Sequence, residues 1–382
     1  MQPNRNRRDD IAEIRKNPST DPVGCALVLA GGEGKRLRPF VHLLRRDLLP
    51  KQYVNFIGRR SMLEHTLDRA ERLVPRERVF TVINRGHLIF PEVSRQVVAR
   101  QPGTVIVQPE NKETAPGILF SLIHIAKRHP DSIVTLLPSD HFVLEEEDLL
   151  AHVSVAQQWV KRDHSRIVLL GVRPDRDESD YGYIVPGCRA KRGSHTSFQI
   201  ASFVEKPDDR AAQALARDGA LWNTMMMVFK TATLMSLIEE TAPQLFGVFR
   251  RIHDALGSAK EAAVIEQVYR ELPPLNFSRD VIEPLARSHS TQLLALPVEN
   301  VLWSDWGSES RIMEILRQTG YAGRLNGLSS PDQPNFGRSY EPASFIDAPE
   351  ARFAANESHR SPRKSARSVH APLTLAATAR PG

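Results

Sequence analysis

Cysteine is scarce: Cys25 and Cys188 are the only two in 382 residues. Two thiols build neither a disulfide framework nor a thiolate metal cluster, so a reducing, cytoplasmic setting is expected. Long apolar runs are missing too. No stretch approaches the roughly 18 apolar residues of a bilayer-crossing helix. The N-terminal MQPNRNRRDD is charged with no apolar segment behind it, so neither a signal peptide nor a membrane partner is expected. Charge of one sign is also in short supply. The formal net charge is +6, and about half of it lies in the ends: five Arg/Lys against four Asp/Glu in residues 1–24, seven against five in 326–382. A nucleic-acid surface needs a dense basic stripe interleaved with aromatics; none is present, and no nucleic-acid partner is expected. HExxH, GxSxG and Cys/His clusters are absent, which removes the metallopeptidase and α/β-hydrolase readings. An S-x-x-K match, Ser361 to Lys364, falls in a Ser/Pro/Ala/Arg-rich tail with no core to hold a site.

What is present is an ordinary globular composition, 41% hydrophobic and 25% charged, with enough apolar material for a core. Three zones follow. Residues 1–23 are polar and read as a disordered arm, 24–324 as one folded domain, and 325–382 as a disordered tail. The middle zone alternates short apolar runs with amphipathic stretches. Ala26–Leu29, Val79–Ile83, Val105–Val107, Ile133–Leu137 and Ile167–Leu170 read as strands. A helix follows Ser61, which has capping-box spacing to Glu64. Another spans 115–128, with Thr114 as its N-cap and Pro116 in the first turn. This order predicts an α/β fold, a Rossmann-like, mostly parallel or mixed sheet with helices on both faces. Ligands of such sheets bind beyond the carboxyl ends of the strands.

Chemistry-bearing residues cluster at those ends. After the first strand comes Gly31-Gly32-Glu33-Gly34-Lys35-Arg36, whose glycines let backbone N–H groups face an anion and whose cations suit phosphate. It is not a Walker A loop, because Arg36 stands where Ser or Thr belongs, nor a dinucleotide fingerprint, because Leu37 replaces the third glycine. Pro138-Ser139-Asp140-His141 offers Asp140 as a Mg²⁺ ligand or as the cap of a following helix, with His141 structural. An alternating run ending Val204-Glu205-Lys206-Pro207 delivers Lys206 either to a ligand or to solvent. Two of the four tryptophans bracket Asp305 in Trp303-Ser304-Asp305-Trp306-Gly307, a ligand position or an aromatic corner, and Met225 to Met227 reads as a buried strand.

Each motif alone is ambiguous, but their order is not. Leu29-Ala-Gly-Gly-x-Gly-x-Arg36-Leu, Pro50-Lys51-Gln52, Glu110-Asn111-x-x-Thr114-Ala-Pro, Pro138-Ser-Asp140-His141, Tyr181-Gly182-Tyr, Glu205-Lys206-Pro207, Trp222-Asn223 and Trp303-Ser-Asp305-x-Gly307 together resemble the sugar-1-phosphate nucleotidyltransferases, and most of all their mannose-1-phosphate guanylyltransferase branch. The resemblance covers about residues 24–320. It implies that GTP and mannose 1-phosphate are the substrates, GDP-mannose and pyrophosphate the products, and Mg²⁺ the cofactor. It further implies that Gly31, Gly32 and Gly34 wrap the nucleotide, that Arg36 and Lys51 hold the triphosphate, and that Glu110, Asn111 and Thr114 lie near base and ribose. Asp140 and Asp305 would bind the metal, Gly182, Glu205 and Asn223 would face the sugar, and Lys206 its phosphate. A homo-oligomer is compatible with it. The alternatives are a pyrophosphorylase for another sugar or nucleotide, and an idle nucleotide-sugar-binding relative; the joint presence of Arg36, Asp140, Lys206 and Asp305 speaks against idleness.

Two departures stand out. Ten residues, Phe40 to Leu49, separate Pro39 from Pro50, more than is usual in the bacterial enzymes. Met225 stands where the family has glycine. No isomerase domain or β-helix of the kind some relatives carry follows the domain, so a single activity is expected.

Overall fold

The structure, a computed structural model, describes residues 24–192, 195–288, 291–321 and 325. The expected arm, residues 1–23, lies outside the described residues, as does the expected tail apart from Leu325. Among the described residues eleven strands are found: β1 (Gly24–Ala30), β2 (Val79–Asn84), β3 (Val105–Gln108), β4 (Ile133–Pro138), β5 (Phe142–Val143), β6 (Ile167–Val172), β7 (Gly182–Arg192), β8 (His195–Glu205), β9 (Leu221–Lys230), β10 (Leu293–Val298) and β11 (Trp303–Ser304). In β2, β4 and β6 the apolar runs are continuous rather than alternating because both faces are covered, and each is buried at every position. Among the described residues, no helix is long and apolar enough to cross a membrane.

Nine strands form one sheet in the order β3-β2-β1-β4-β9-β6-β10-β8-β7. The pairs β3–β2, β2–β1, β1–β4 and β6–β10 are parallel. β9 runs antiparallel between β4 and β6, so the sheet is mixed. β7 pairs with β9 as well as β8, which closes a circuit of pairings through β9, β6, β10, β8 and β7.

These registers bring distant motifs to one rim. β1 and β4 end together, with Leu29 beside Pro138, and Ser139 Oγ donates to Leu29 O at 2.6 Å. The glycine loop and Asp140 are therefore neighbours. Because β9 is antiparallel, its beginning lies at the same rim, with Trp222 paired to Val172 and to Tyr183. Glu205 lies opposite Gly182. A separate two-stranded sheet, β5 with β11, pairs Phe142 with Ser304. That register sets Asp305 across from the segment that carries Asp140.

The Ser61 capping box forms: Ser61 Oγ accepts from Glu64 N at 3.1 Å and Ser61 N donates to Glu64 Oε2 at 2.7 Å. The Thr114 cap does not. That helix runs Thr114–Arg128 with Glu113 at the cap position in the left-handed region, φ 69°. The Thr114 hydroxyl accepts instead from Phe277 N at 2.8 Å. A long-range brace has taken the group that local pattern assigned to the helix. Asp140 is not a cap either, since β5 and not a helix follows it.

Replacing Ser61 with alanine is expected to lower folding stability by about 1 kcal/mol, the usual worth of an N-cap, read as a shift in urea midpoint at constant slope.

Candidate active site

A cavity of about 500 Å³ opens at the rim, lined by the glycine loop, Arg36, Lys51, Gln108, Asn111, Thr114, Asp140 and Lys206 among others. Gly31 lies against Gln108: a Cβ there would meet Gln108 Nε2 at 2.4 Å, so the amide would have to move aside. Gly34 adopts φ 58°, favoured by glycine, and packs on the Lys51 backbone. Arg36, half exposed, pairs with Asp180 and stands 3.8 Å from Asp305 Oδ2.

Lys51 is the most enclosed cation of the site, 7% exposed. Its Nζ lies 3.2 Å from Asp140 Oδ2 and donates to the carbonyls of Asp305 at 2.5 Å and Trp306 at 3.2 Å. Burial works to raise the Asp140 carboxyl, but the interactions opposing it, led by the Lys51 ammonium, outweigh it and hold it below the ordinary carboxylate range. His141 itself is kept neutral: burial, only partly countered by Asp140 and Asp305, lowers it to about 4. Trp303 Nε1 donates to its Nδ1 at 3.2 Å, which fits a neutral, structural ring. Tyr181 OH donates to Asp305 Oδ1 at 2.6 Å, and burial together with that carboxylate pushes the phenol up, so it keeps its proton. Gly307 N donates to the same oxygen at 2.8 Å.

Asp140 and Asp305 therefore each have one oxygen engaged. The second oxygen of each is held more loosely: Asp140 Oδ1 lies 3.8 Å from His141 Nε2, and Asp305 Oδ2 lies 3.8 Å from the Arg36 guanidinium. Among the described residues, no group of three or more His, Cys, Asp or Glu gathers around a point. Two carboxylate ligands with no nitrogen or sulfur are a poor zinc set. They fit a hard divalent cation that keeps waters and takes its other ligands from phosphates.

A second group adjoins the first. Glu205, Asn223, Met225 and Ser278 form a corner next to Lys206, outside the cavity's own lining. A Cβ on Gly182 would strike Glu205 Oε2 at 2.6 Å. Burial raises the Glu205 carboxyl, with Lys206 and the Ser278 hydroxyl opposing. Asn223 Oδ1 accepts from Met225 N at 3.0 Å, and Ser278 Oγ lies 3.1 Å from Met225 Sδ.

The structure thus brings together Gly31, Gly32, Gly34, Arg36, Lys51, Asn111, Thr114, Asp140 and Lys206, with Asp305 joined through Lys51 and Arg36. Glu110 is not among the cavity residues; it is half exposed and pairs with Lys112 at 3.1 Å. Sequence reasoning passed over Gln108. It is 2% exposed, lines the cavity, and leaves its Oε1 without a partner. Its place at the end of β3 was the available signal. Backbone strain also marks the site: of the six non-glycine residues with positive φ among the described residues, Glu113, Lys206, Met225 and Trp306 lie at or beside it. Each costs on the order of 1–3 kcal/mol and persists only where its surroundings enforce it.

His141 and His87 are held at about 4 and His65 at about 3, chiefly by burial. Unfolded histidine titrates near 6.5, so between about pH 6.5 and 4 the unfolded chain binds more protons, and stability falls as pH falls. Asp140 acts elsewhere: its contribution is present above its unfolded value and is lost only as pH drops through the lowered folded one. Urea midpoints are expected to decline from pH 7 to pH 4.5, each histidine contributing on the order of 1–3 kcal/mol, and His87→Gln is expected to flatten the slope.

Residues 25–320 match the family described as nucleotidyl transferase. The mannose-1-phosphate guanylyltransferase of Escherichia coli is 27% identical over 303 residues, 79% of this chain and 62% of the relative. That of Klebsiella pneumoniae is 26% identical over the same shares. The chain spans about six tenths of the length of these curated relatives. A solved structure described as mannose-1-phosphate geranyltransferase from Thermus thermophilus superposes with a TM-score of 0.64 at 27% identity, covering 77% of this chain and 79% of that one. With its mixed sheet, rim cavity and ordered motifs, the chain belongs to the nucleotidyl transferase family.

Proposed function

We propose that the protein transfers GMP from GTP to mannose 1-phosphate, giving GDP-mannose and pyrophosphate, with Mg²⁺ as the cation. The observation that carries this reading is the cavity itself, where Arg36, Lys51, Asp140 and Lys206, far apart in sequence, line one space with the glycine loop. The names of the relatives support the choice of substrates.

Two anions must approach each other. Unit charges 4 Å apart repel by about 4 kcal/mol at an effective dielectric of about 20. Arg36 and Lys51 offset the triphosphate, and Lys206 the sugar phosphate. Asp140 and Asp305 would hold Mg²⁺, whose bound form supplies further charge neutralisation at the phosphates. An oxygen of the sugar phosphate attacks the α-phosphorus; the new P–O bond forms as the bond to the β-phosphate bridging oxygen breaks, and pyrophosphate leaves with that electron pair. The attacking oxygen is already ionised near neutrality, the second pKa being about 6, so no general base is needed. Positioning and charge are the main requirements of such transfers.

Met225 favours a second reading of the acceptor. A glycine has given way to a side chain at a strained position beside Asn223 and Glu205, which is compatible with a sugar 1-phosphate other than mannose.

The test is a panel of nucleoside triphosphates against sugar 1-phosphates with pyrophosphate release as readout. GTP with mannose 1-phosphate is expected to lead, and another leading pair replaces that assignment. Asp140→Asn is expected to lower turnover by on the order of 10²-fold without unfolding the chain; a wild-type rate removes it from the site. Lys206→Ala is expected to raise KM for the sugar phosphate about 10-fold or more, the loss of one charged hydrogen bond, with a smaller change for the nucleotide.

A further inference from the structure

The short turn Lys51–Tyr53 is enclosed along its length, its three residues 7%, 3% and 2% exposed. Its side chains go to different places. Lys51 reaches Asp140 and the 305–306 carbonyls, as described. Gln52 reaches the glycine loop: its Nε2 donates to Ala30 O at 2.9 Å and to Gly32 O at 2.7 Å. Tyr53 OH also donates to Ala30 O, at 3.0 Å. Gln52 has two amide protons, and two carbonyls take them.

Those two carbonyls belong to peptide planes that line the cavity. In a trans peptide the C=O and the following N–H point in opposite directions. Drawing Ala30 O and Gly32 O toward Gln52 therefore turns the N–H groups of Gly31 and Glu33 away from it. A Gly-Gly-x-Gly segment has little steric preference of its own and loses much freedom when fixed. Without an outside anchor it would sample many orientations, and a ligand would have to order it at the expense of affinity.

We infer that Gln52 is a positioning residue: its amide presets the peptide planes of the glycine loop so that the Gly31 and Glu33 N–H groups meet a nucleotide phosphate. This rests on the proposed reading that a nucleoside triphosphate occupies the cavity. It differs from a base-reading role, because both Gln52 donors are spent on backbone and the side chain is enclosed. Gln52 acts through the loop and touches no reacting atom.

The test uses the full chain with Gln52→Glu and Gln52→Leu, neither of which offers the pair of amide protons. Mg²⁺–GTP binding is measured by calorimetry, KM for both substrates by pyrophosphate release, and melting temperature in parallel. Both variants are expected to bind GTP at least 10-fold more weakly, with KM for mannose 1-phosphate changed less than 3-fold and with ATP and UTP weakened in the same proportion as GTP. Unchanged GTP affinity in a folded variant overturns the inference. So does an altered preference among the nucleotides, which would make Gln52 a base contact, and so does an equal loss for both substrates that tracks melting temperature. If neither variant folds, the wild-type chain labelled with ¹⁵N-glycine decides: the Gly31 amide resonance is expected to shift on GTP addition, and a resonance that stays put overturns the inference. A wild-type chain that binds no nucleoside triphosphate removes the reading of the site as well; wild-type binding with unaffected variants removes the inference alone.

Discussion

An ammonium group with little access to water is expensive unless its protons and charge are matched. Lys51 Nζ is matched by a carboxylate at 3.2 Å and two backbone carbonyls at 2.5 and 3.2 Å. The partners come from two distant parts of the chain, so the contact is also a fastening. It ties the turn after Pro50 to the segment beyond β4 and to the segment beyond β11. The small β5–β11 sheet and the Trp306–Phe142 stack, ring centroids 4.9 Å apart, hold the last two together. The Lys51 charge is thus desolvated and oriented by the protein alone, and a preorganised charge in a water-poor site acts more strongly on a ligand than one in water.

The surrounding charges fit that arrangement. Tyr181 and Gly307 fix one oxygen of Asp305 and leave the other toward Arg36. His141, beside Asp140, stays neutral through burial and adds no competing charge. Acidic groups able to take a cation and basic groups able to take phosphates alternate around one space. Four of the six strained non-glycine positions among the described residues, Glu113, Lys206, Met225 and Trp306, gather here. Strain gathered at a rim is what positioning demands, because side chains must be aimed where local preference would not send them.

The buried strands were legible because both faces are covered, which leaves unbroken apolar runs such as those of β2, β4 and β6. The Ser61 box was legible because it is local. The motif order singled out Arg36, Lys51, Asp140 and Lys206, which the fold brings to one cavity, and Asp305, which contacts Lys51 and Arg36 beside it. What could not be read depends on pairings between distant segments. Nothing in Leu221–Lys230 announces that β9 will run antiparallel between β4 and β6. Thr114 looked like a cap until Phe277 N claimed its hydroxyl. Gln108 became a cavity residue only once β3 lay at the sheet edge beside β2 and set its amide against Gly31. Gln52 offered no local signal for its backbone partners, which lie 20 and 22 positions upstream.

Two parts of the site differ in how their backbone is held. In the glycine loop the positive-φ position Gly34 carries glycine, so the loop keeps its shape at no steric cost. In the corner beside Glu205, Met225 takes φ 57° with a full side chain, where β9 has a register irregularity against β6. Asn223 Oδ1 on its amide and Ser278 against its sulfur hold it there. A glycine would remove the strain, and with it the thioether between Asn223 and the Ser278–Glu205 pair. Methionine is flexible and apolar and a weak acceptor at best, so it fills volume and offers a polar ligand little in return. Of the two departures, Met225 is the one that sits within a strained corner of the site, while the charge arrangement around Lys51 is built from other residues.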